Sequence, residues 1–201
     1  MSSAREDILR RIDSAKYGMS APVPIRNYTS TSTLSEVELL DLLEDRIVDY
    51  KAKFIRTSDV AAAISDIVKE HSLSRIVIPD GLPSAWTTGI TDTTLTSTEL
   101  DNFDAVVTAS EVAIAVTGTI VLNHSKSDQG RRAISLVPDT HICIVKPSSV
   151  VGTVVEAVAR LNPKDHQTWI SGPSATSDIE LERVEGVHGP RNLYVILDLS
   201  S

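Results

Sequence analysis

Three polar segments lie directly against apolar runs: Thr117-Gly118-Thr119, Gly130-Arg131-Arg132, and the stretch from Ser171-Gly172-Pro173-Ser174 through Thr176 to Ser177-Asp178. Glycine lets backbone N–H groups come close to a ligand, and neighbouring serine and threonine hydroxyls complete an anion-binding concavity. Arg131 or Arg132 adds a planar fork able to grip a carboxylate or phosphate through two hydrogen bonds. His188 sits in the turn-rich Gly186-Val187-His188-Gly189-Pro190, where an imidazole can serve as acid, base or ligand. Together these segments point to an anionic small-molecule site. Its candidate ligand residues are Thr117, Gly118, Thr119, Gly130, Arg131, Arg132, Ser171, Gly172, Ser174, Thr176 and His188.

Each segment also has a purely structural reading. Thr117-Gly118-Thr119 can be the turn of a hairpin joining Ala113–Val116 to Ile120–Leu122. Arg131 and Arg132 can be surface charges opening a helix-like Ala133–Leu136. Ser177 or Asp178 can cap a helix from Ile179 onward, and a lone loop histidine such as His188 is more often structural. His71, His124, His141 and His166 show no metal-type spacing, so no metal site is read. There is no G-x-x-x-x-G-K-[ST] and no G-x-G-x-x-G, which removes the simplest ATPase and dinucleotide readings. Gly172-Pro173-Ser174-Ala175-Thr176 misses the G-x-S-x-G elbow at its last position, so a hydrolase triad is poorly supported.

The elements that must carry these loops alternate. Ser3 with Glu6 forms a capping-box pattern that opens a helix to Lys16, with Ile8, Leu9 and Ile12 as a narrow apolar stripe. That stripe needs a partner, either on its own domain or on another chain, a second copy included. Gly18 to Ser32 reads as a linker, so residues 1–32 are an N-terminal helix and linker and residues 33–201 the main domain. Thr33 with Glu36 predicts a second cap, before Val37, Leu40, Leu43 and Ile47 at helical spacing. Strands are predicted at Ala52–Ile55, Arg75–Ile78, Ala105–Thr108, Thr119–Leu122, Ile142–Val145 and Leu193–Leu197, and helices at Ser58–His71 and Ser148–Leu161. Alternation of this kind, with strands as continuously apolar as Ile142-Cys143-Ile144-Val145, gives an α/β fold with a largely parallel sheet flanked by helices. Ligands of such sheets sit where loops converge beyond the carboxyl ends of strands.

Composition narrows the function. The formal charge is −8, with 27 acidic against 19 basic residues, so there is no field to attract nucleic acid. The single Cys143 lies in an apolar run and reads as a small buried hydrophobe. One cysteine cannot hold a Cys-ligated iron–sulfur cluster, so any electron transfer belongs to another protein. No run approaches the roughly 18 apolar residues of a membrane span, and no signal peptide is evident, so a cytoplasmic, soluble protein is expected.

Taken in order, several segments resemble the LUD-domain family, and within it the lactate-utilization C type. They are Ala113–Leu122 around Thr117-Gly118-Thr119, Gly130-Arg131-Arg132 with Ser135-Leu136-Val137-Pro138 and His141-Ile142, Ser171-Gly172-Pro173-Ser174 with Asp178-Ile179-Glu180, and Gly186–Pro190. The resemblance runs from about Asp104 to Leu197. It implies a fold like that of ribose-phosphate isomerases and CoA transferases. It also implies a role in oxidising L-lactate to pyruvate beside iron–sulfur partner proteins of the A and B types, and the anion-type loops, the lone cysteine and the spare amphipathic helix make this chain an accessory, cluster-free subunit of that system. Where the family commonly carries an acidic residue before Thr-Gly-Thr, this chain has Val116. The alternative is a stand-alone enzyme of the isomerase or CoA-transferase type, in which Glu111 or Asp178 works with His188 and Arg131 on a phosphate- or thioester-bearing substrate.

Overall fold

Strands with no polar alternation have both faces to bury, and three of them form the centre of the molecule. In a computed structural model, which describes residues 3–17, 30–176, 184–185 and 189–200, the elements follow in this order. The first half contains α1 (Ala4–Lys16), α2 (Glu36–Asp49), β1 (Lys53–Thr57), α3 (Val60–Glu70), β2 (Ile76–Ile78), β3 (Ile90–Thr91) and α4 (Ser97–Leu100). Then come β4 (Ala105–Ala109), β5 (Val112–Ile114), β6 (Thr119–Asn123), β7 (Thr140–Val145) and β8 (Val150–Val151). The chain ends with α5 (Val154–Arg160), β9 (Gln167–Ile170), β10 (Ala175–Thr176), β11 (Val184–Glu185) and β12 (Asn192–Asp198). β4 and β7 are buried at every residue, and β12 at all but its first.

Six strands form one sheet in the order β1-β12-β7-β4-β2-β3, and every neighbouring pair is parallel. Side chains alternate across it. Ile142, Ile144, Tyr194 and Ile196 pack against Val60, Ile64 and Ile67 of α3. On the other face Cys143, Val145, Leu193, Val195 and Leu197 meet Leu40, Leu43 and Ile47 of α2 together with Ala113, Ile120 and Leu122. The last three belong to a second, four-stranded sheet in the order β8-β5-β6-β9. α5 covers the outer face of that sheet through Ala157, with Leu161 just beyond it, against Val112, Ile114 and Val121. Each fully buried leucine or isoleucine here contributes about 2 kcal/mol relative to an exposed one. Among the described residues no helix is long and apolar enough to cross a membrane.

The α/β fold, with its largely parallel sheet flanked by helices, is as the sequence predicts, and several local expectations are corrected. The α2 cap is Ser35 with Glu38, not Thr33 with Glu36, because only Ser35 has its hydroxyl opposite the Glu38 N–H. The expected helix Ser148–Leu161 is shorter. Val150 and Val151 pair with Ala113 and Ile114 as an edge strand, and the helix starts only after the Thr153–Glu156 capping box. Thr117-Gly118-Thr119 lies in a hairpin turn: a 3-10 turn at Ala115–Thr117 and left-handed Gly118 link antiparallel β5 and β6. Ser30 and Ser32, in the expected linker, bind the first turn of α5 through Thr153 and Glu156. The α1 capping box forms, while Ile8, Leu9 and Ile12 stay exposed.

Candidate functional site

β9 brings its carboxyl end over the large sheet near the start of β7 and β12, and a cavity of about 280 Å³ remains between the two sheets. The loop after β9 supplies Ser171, Gly172, Pro173 and Ser174; the loop before β12 supplies Gly189 and Pro190. Ser135 and Leu136 enter from the 3-10 turn that follows Arg131, and His141 and Leu193 rise from the sheet. A backbone hydrogen bond of 2.8 Å from the Ser174 N–H to the Pro190 carbonyl ties the two loops together. The cavity is therefore of the size that takes a small organic molecule, with apolar walls and a few hydroxyls. It lies near the amino ends of β7 and β12, not beyond the carboxyl ends of strands. The reason is that the second sheet roofs this face and leaves the gap at that end.

His141 is 1% exposed, and its Nε2 lies 2.8 Å from the Thr108 hydroxyl. Burial pushes its pKa down to about 4, so the ring is neutral near pH 7. Thr108 also reaches the Cys143 sulfur, at 3.8 Å. Burial pushes the Cys143 thiol up to about 12, which removes it as a nucleophile or thiolate ligand near neutrality. Sequence inspection did not single out His141 as a site residue, because a histidine inside an apolar strand reads as core. The available signal was that Thr108 and His141 interrupt two otherwise apolar strands.

The predicted ligand residues fall into two groups. Thr117, Thr119 and Ser171 form a hydroxyl chain, with 2.7 Å between Thr117 and Thr119 and 2.8 Å between Thr119 and Ser171. Gly118 and Gly172 have φ of +58° and +80°, and a Cβ on either would clash with the end of α2, at Arg46 or Tyr50. These glycines are needed for close packing. They hold the Ser171–Ser174 loop against α2, and Ser171, Gly172 and Ser174 line the cavity.

Gly130, Arg131 and Arg132 lie apart from it. Arg131 donates to both Asp92 oxygens, from Nε at 2.5 Å and Nη2 at 2.9 Å, and Nη2 also reaches the Leu95 carbonyl, so its fork is turned inward. Burial raises the Asp92 pKa, but the Arg131 bonds and the Leu95 and Thr94 N–H groups outweigh it and hold that carboxyl below its ordinary value. Arg132 is exposed. The Gly130 carbonyl lies 2.7 Å from His124 Nδ1, whose Nε2 lies 2.7 Å from Thr168 on the cavity wall. Burial, with repulsion from Arg132 and His166, lowers the His124 pKa despite the Gly130 bond.

Glu111 stands just past the carboxyl end of β4, 3.8 Å from Lys126 and 3.2 Å from Gln129, outside the cavity lining. Asp178, His188 and the Thr176 side chain lie outside the described residues. Val116 is 49% exposed on the turn before Gly118. Among the described residues no three His, Cys, Asp or Glu side chains are grouped so as to hold a metal ion.

Comparison with known proteins follows the same residues. The family model described as LUD domain matches residues 84–197, a span containing every residue of the cavity lining. Lactate utilization protein C of Deinococcus radiodurans is 44% identical, with 98% of this chain and 96% of that protein covered. Lactate utilization protein C of Bacillus licheniformis is 32% identical over 78% of this chain and 69% of that protein. A crystal structure of a DUF162 family protein from Deinococcus radiodurans superposes with a TM-score of 0.69 at 40% identity, covering 82% of this chain and 98% of that one. The family model spans more than half of the chain and the Deinococcus relative nearly all of it, so the chain belongs to the LUD-domain family.

Proposed function

We propose that this chain is an accessory, cluster-free subunit of a cytoplasmic system that oxidises L-lactate to pyruvate. In this reading it binds an anionic small molecule in the cavity between its sheets and assembles with iron–sulfur partner proteins of the A and B types. The observation that carries the reading is the cavity of about 280 Å³, built by Ser171–Ser174, Gly189-Pro190 and Ser135 around His141, in a chain whose full-length relative is named lactate utilization protein C. Oxidation of lactate to pyruvate removes two electrons and two protons from the carbinol carbon and its hydroxyl. A chain with one cysteine has no thiolate set for a Cys-ligated cluster, so the partners' clusters take the electrons and this subunit contributes binding. Residues 33–201 are the binding domain, and α1, with Ile8, Leu9 and Ile12 exposed, is available to a partner.

Deletion of the gene in its host is the direct test. Growth on L-lactate as sole carbon source should fail and return with the wild-type gene. It should not return with Ser174→Phe, which puts a ring into the cavity. Normal growth of the deletion strain on L-lactate would overturn the proposal.

A further inference from the structure

Two apolar faces of the chain are left uncovered. The first is on α1, where Ile8, Leu9 and Ile12 share one side of the helix with Arg5 before them and Lys16 after them. All five are exposed, and none of the 13 residues of α1 is buried. A helix of this length is marginal in water until its apolar face is packed.

The second face lies where the start of α2, the hairpin turn and α5 meet. Leu34, Val37, Val116, Val154, Val155 and Val158 are each between 40% and 66% exposed. Contacts around Gly152 gather them. Its carbonyl accepts the Val116 N–H at 3.2 Å, and a Cβ on it would meet Ser32 at 2.1 Å. The Ser32 N–H donates to Glu156 of α5, and the Ser32 hydroxyl accepts the Leu34 N–H. A group of exposed apolar side chains with a polar rim marks a protein contact, unlike the same residues scattered singly. The rim is acidic, because α2 carries six carboxylates against the single Arg46. The face of α1 is flanked by the opposite charge.

The chain itself brings the two faces together. The Thr153 hydroxyl donates to the Ser30 carbonyl at 3.2 Å, so the segment leading from α1 ends at the edge of the valine patch. Between Tyr17 and Ser30 the backbone spans at most about 45 Å, enough to carry α1, about 20 Å long, onto a neighbouring molecule. Within one chain α1 is covered by nothing. One helix with three apolar residues on one patch also falls well short of the roughly 20–30 residues a side of a stable interface. A reciprocal pair makes the contact twice, with each copy giving both its helix and its patch.

We propose that two copies of this chain associate about a two-fold axis, each laying the Ile8, Leu9 and Ile12 face of its α1 on the valine patch of the other, with Arg5 and Lys16 set against the acidic α2. This surface lies outside the cavity lining and does not depend on what the cavity binds.

Sedimentation velocity of the full chain tests the pairing, and chemical cross-linking tests its arrangement. Wild type should form a dimer that dissociates on dilution. Removal of residues 1–17 should leave a monomer that still unfolds cooperatively, and Val155→Asp, which buries a charge in the contact, should raise the dimer Kd at least about tenfold. Ala15 and Ala159 are exposed on α1 and α5, and the native Cys143 is buried away from reagents. A bismaleimide should therefore join Ala15→Cys chains to Ala159→Cys chains when the two are mixed. A monomer at every concentration, a dimer that survives loss of residues 1–17 or is untouched by Val155→Asp, or mixed variants left unjoined would each overturn the proposal. A bridge that closes within single chains carrying both cysteine substitutions would give the patch to the chain's own α1 and overturn the second copy as its occupant.

Discussion

A buried imidazole makes stability depend on pH, and the sign follows from the direction of its shift. The folded pKa of His141, about 4, lies below the ordinary 6.5, so the unfolded chain takes up the proton first as pH falls. The contribution is complete above about pH 6.5 and is lost progressively down to about pH 4, by at most about 3 kcal/mol. His124, also lowered by burial, adds in the same direction. Urea unfolding at pH 7 and pH 4.5 should show this loss, and His141→Asn should flatten it; an equal slope in the variant would contradict the assignment. Arg131 makes a second prediction, since its partner Asp92 is only 5% exposed at the side chain. Arg131→Ala strands that carboxylate and should destabilise the protein by about 2 kcal/mol, with Asp92→Asn recovering part of the loss in a double-mutant cycle. Cys143, wholly buried, should resist thiol reagents in the native protein and react once at full unfolding.

At the scale of elements, the hairpin turn and the loop after β9 are both braced on the end of α2. Gly118 adopts φ +58° with a would-be Cβ 2.8 Å from Arg46 backbone. Gly118→Ala should cost about 2 kcal/mol or more from the left-handed backbone and the clash, and should loosen ligand binding as the Thr119–Ser171 contact shifts. A variant as stable as wild type by thermal unfolding would show that this bracing is unimportant. The long elements were legible in sequence: α2, α3 and the apolar cores of β4, β7 and β12 follow directly from periodicity and continuous hydrophobicity. The second sheet was not legible as a sheet. Its strands β8 and β9 have two and four residues, too few to set a period, and Val150-Val151 continues the valine pattern of α5 so that strand and helix merge in the sequence. The site was half legible for a related reason. Ser171–Ser174 stands out as a polar loop, whereas His141 joins the site only once the fold places it, almost fully buried, at the wall of the cavity, and the Arg131 fork reads as free until the fold brings Asp92 from a loop 39 residues away.

For the whole molecule, the layers run from α3 through the parallel sheet to α2 and the second sheet, with α5 outermost, and α1 contributes no buried residue. Removing residues 1–17 should leave the thermal midpoint nearly unchanged, because an exposed segment takes little buried area with it. If α1 is the surface through which the subunit assembles, the same truncation should abolish co-purification with its partners. The central claim is that this chain works as a cluster-free part of a lactate-oxidising assembly, and affinity purification of the tagged full chain from lactate-grown cells tests it most directly. Iron, acid-labile sulfide and L-lactate-dependent reduction of a dye should all appear in the eluate at a constant ratio to the chain. A colourless eluate of the chain alone, with lactate oxidation left undiminished in the depleted lysate, would contradict the account.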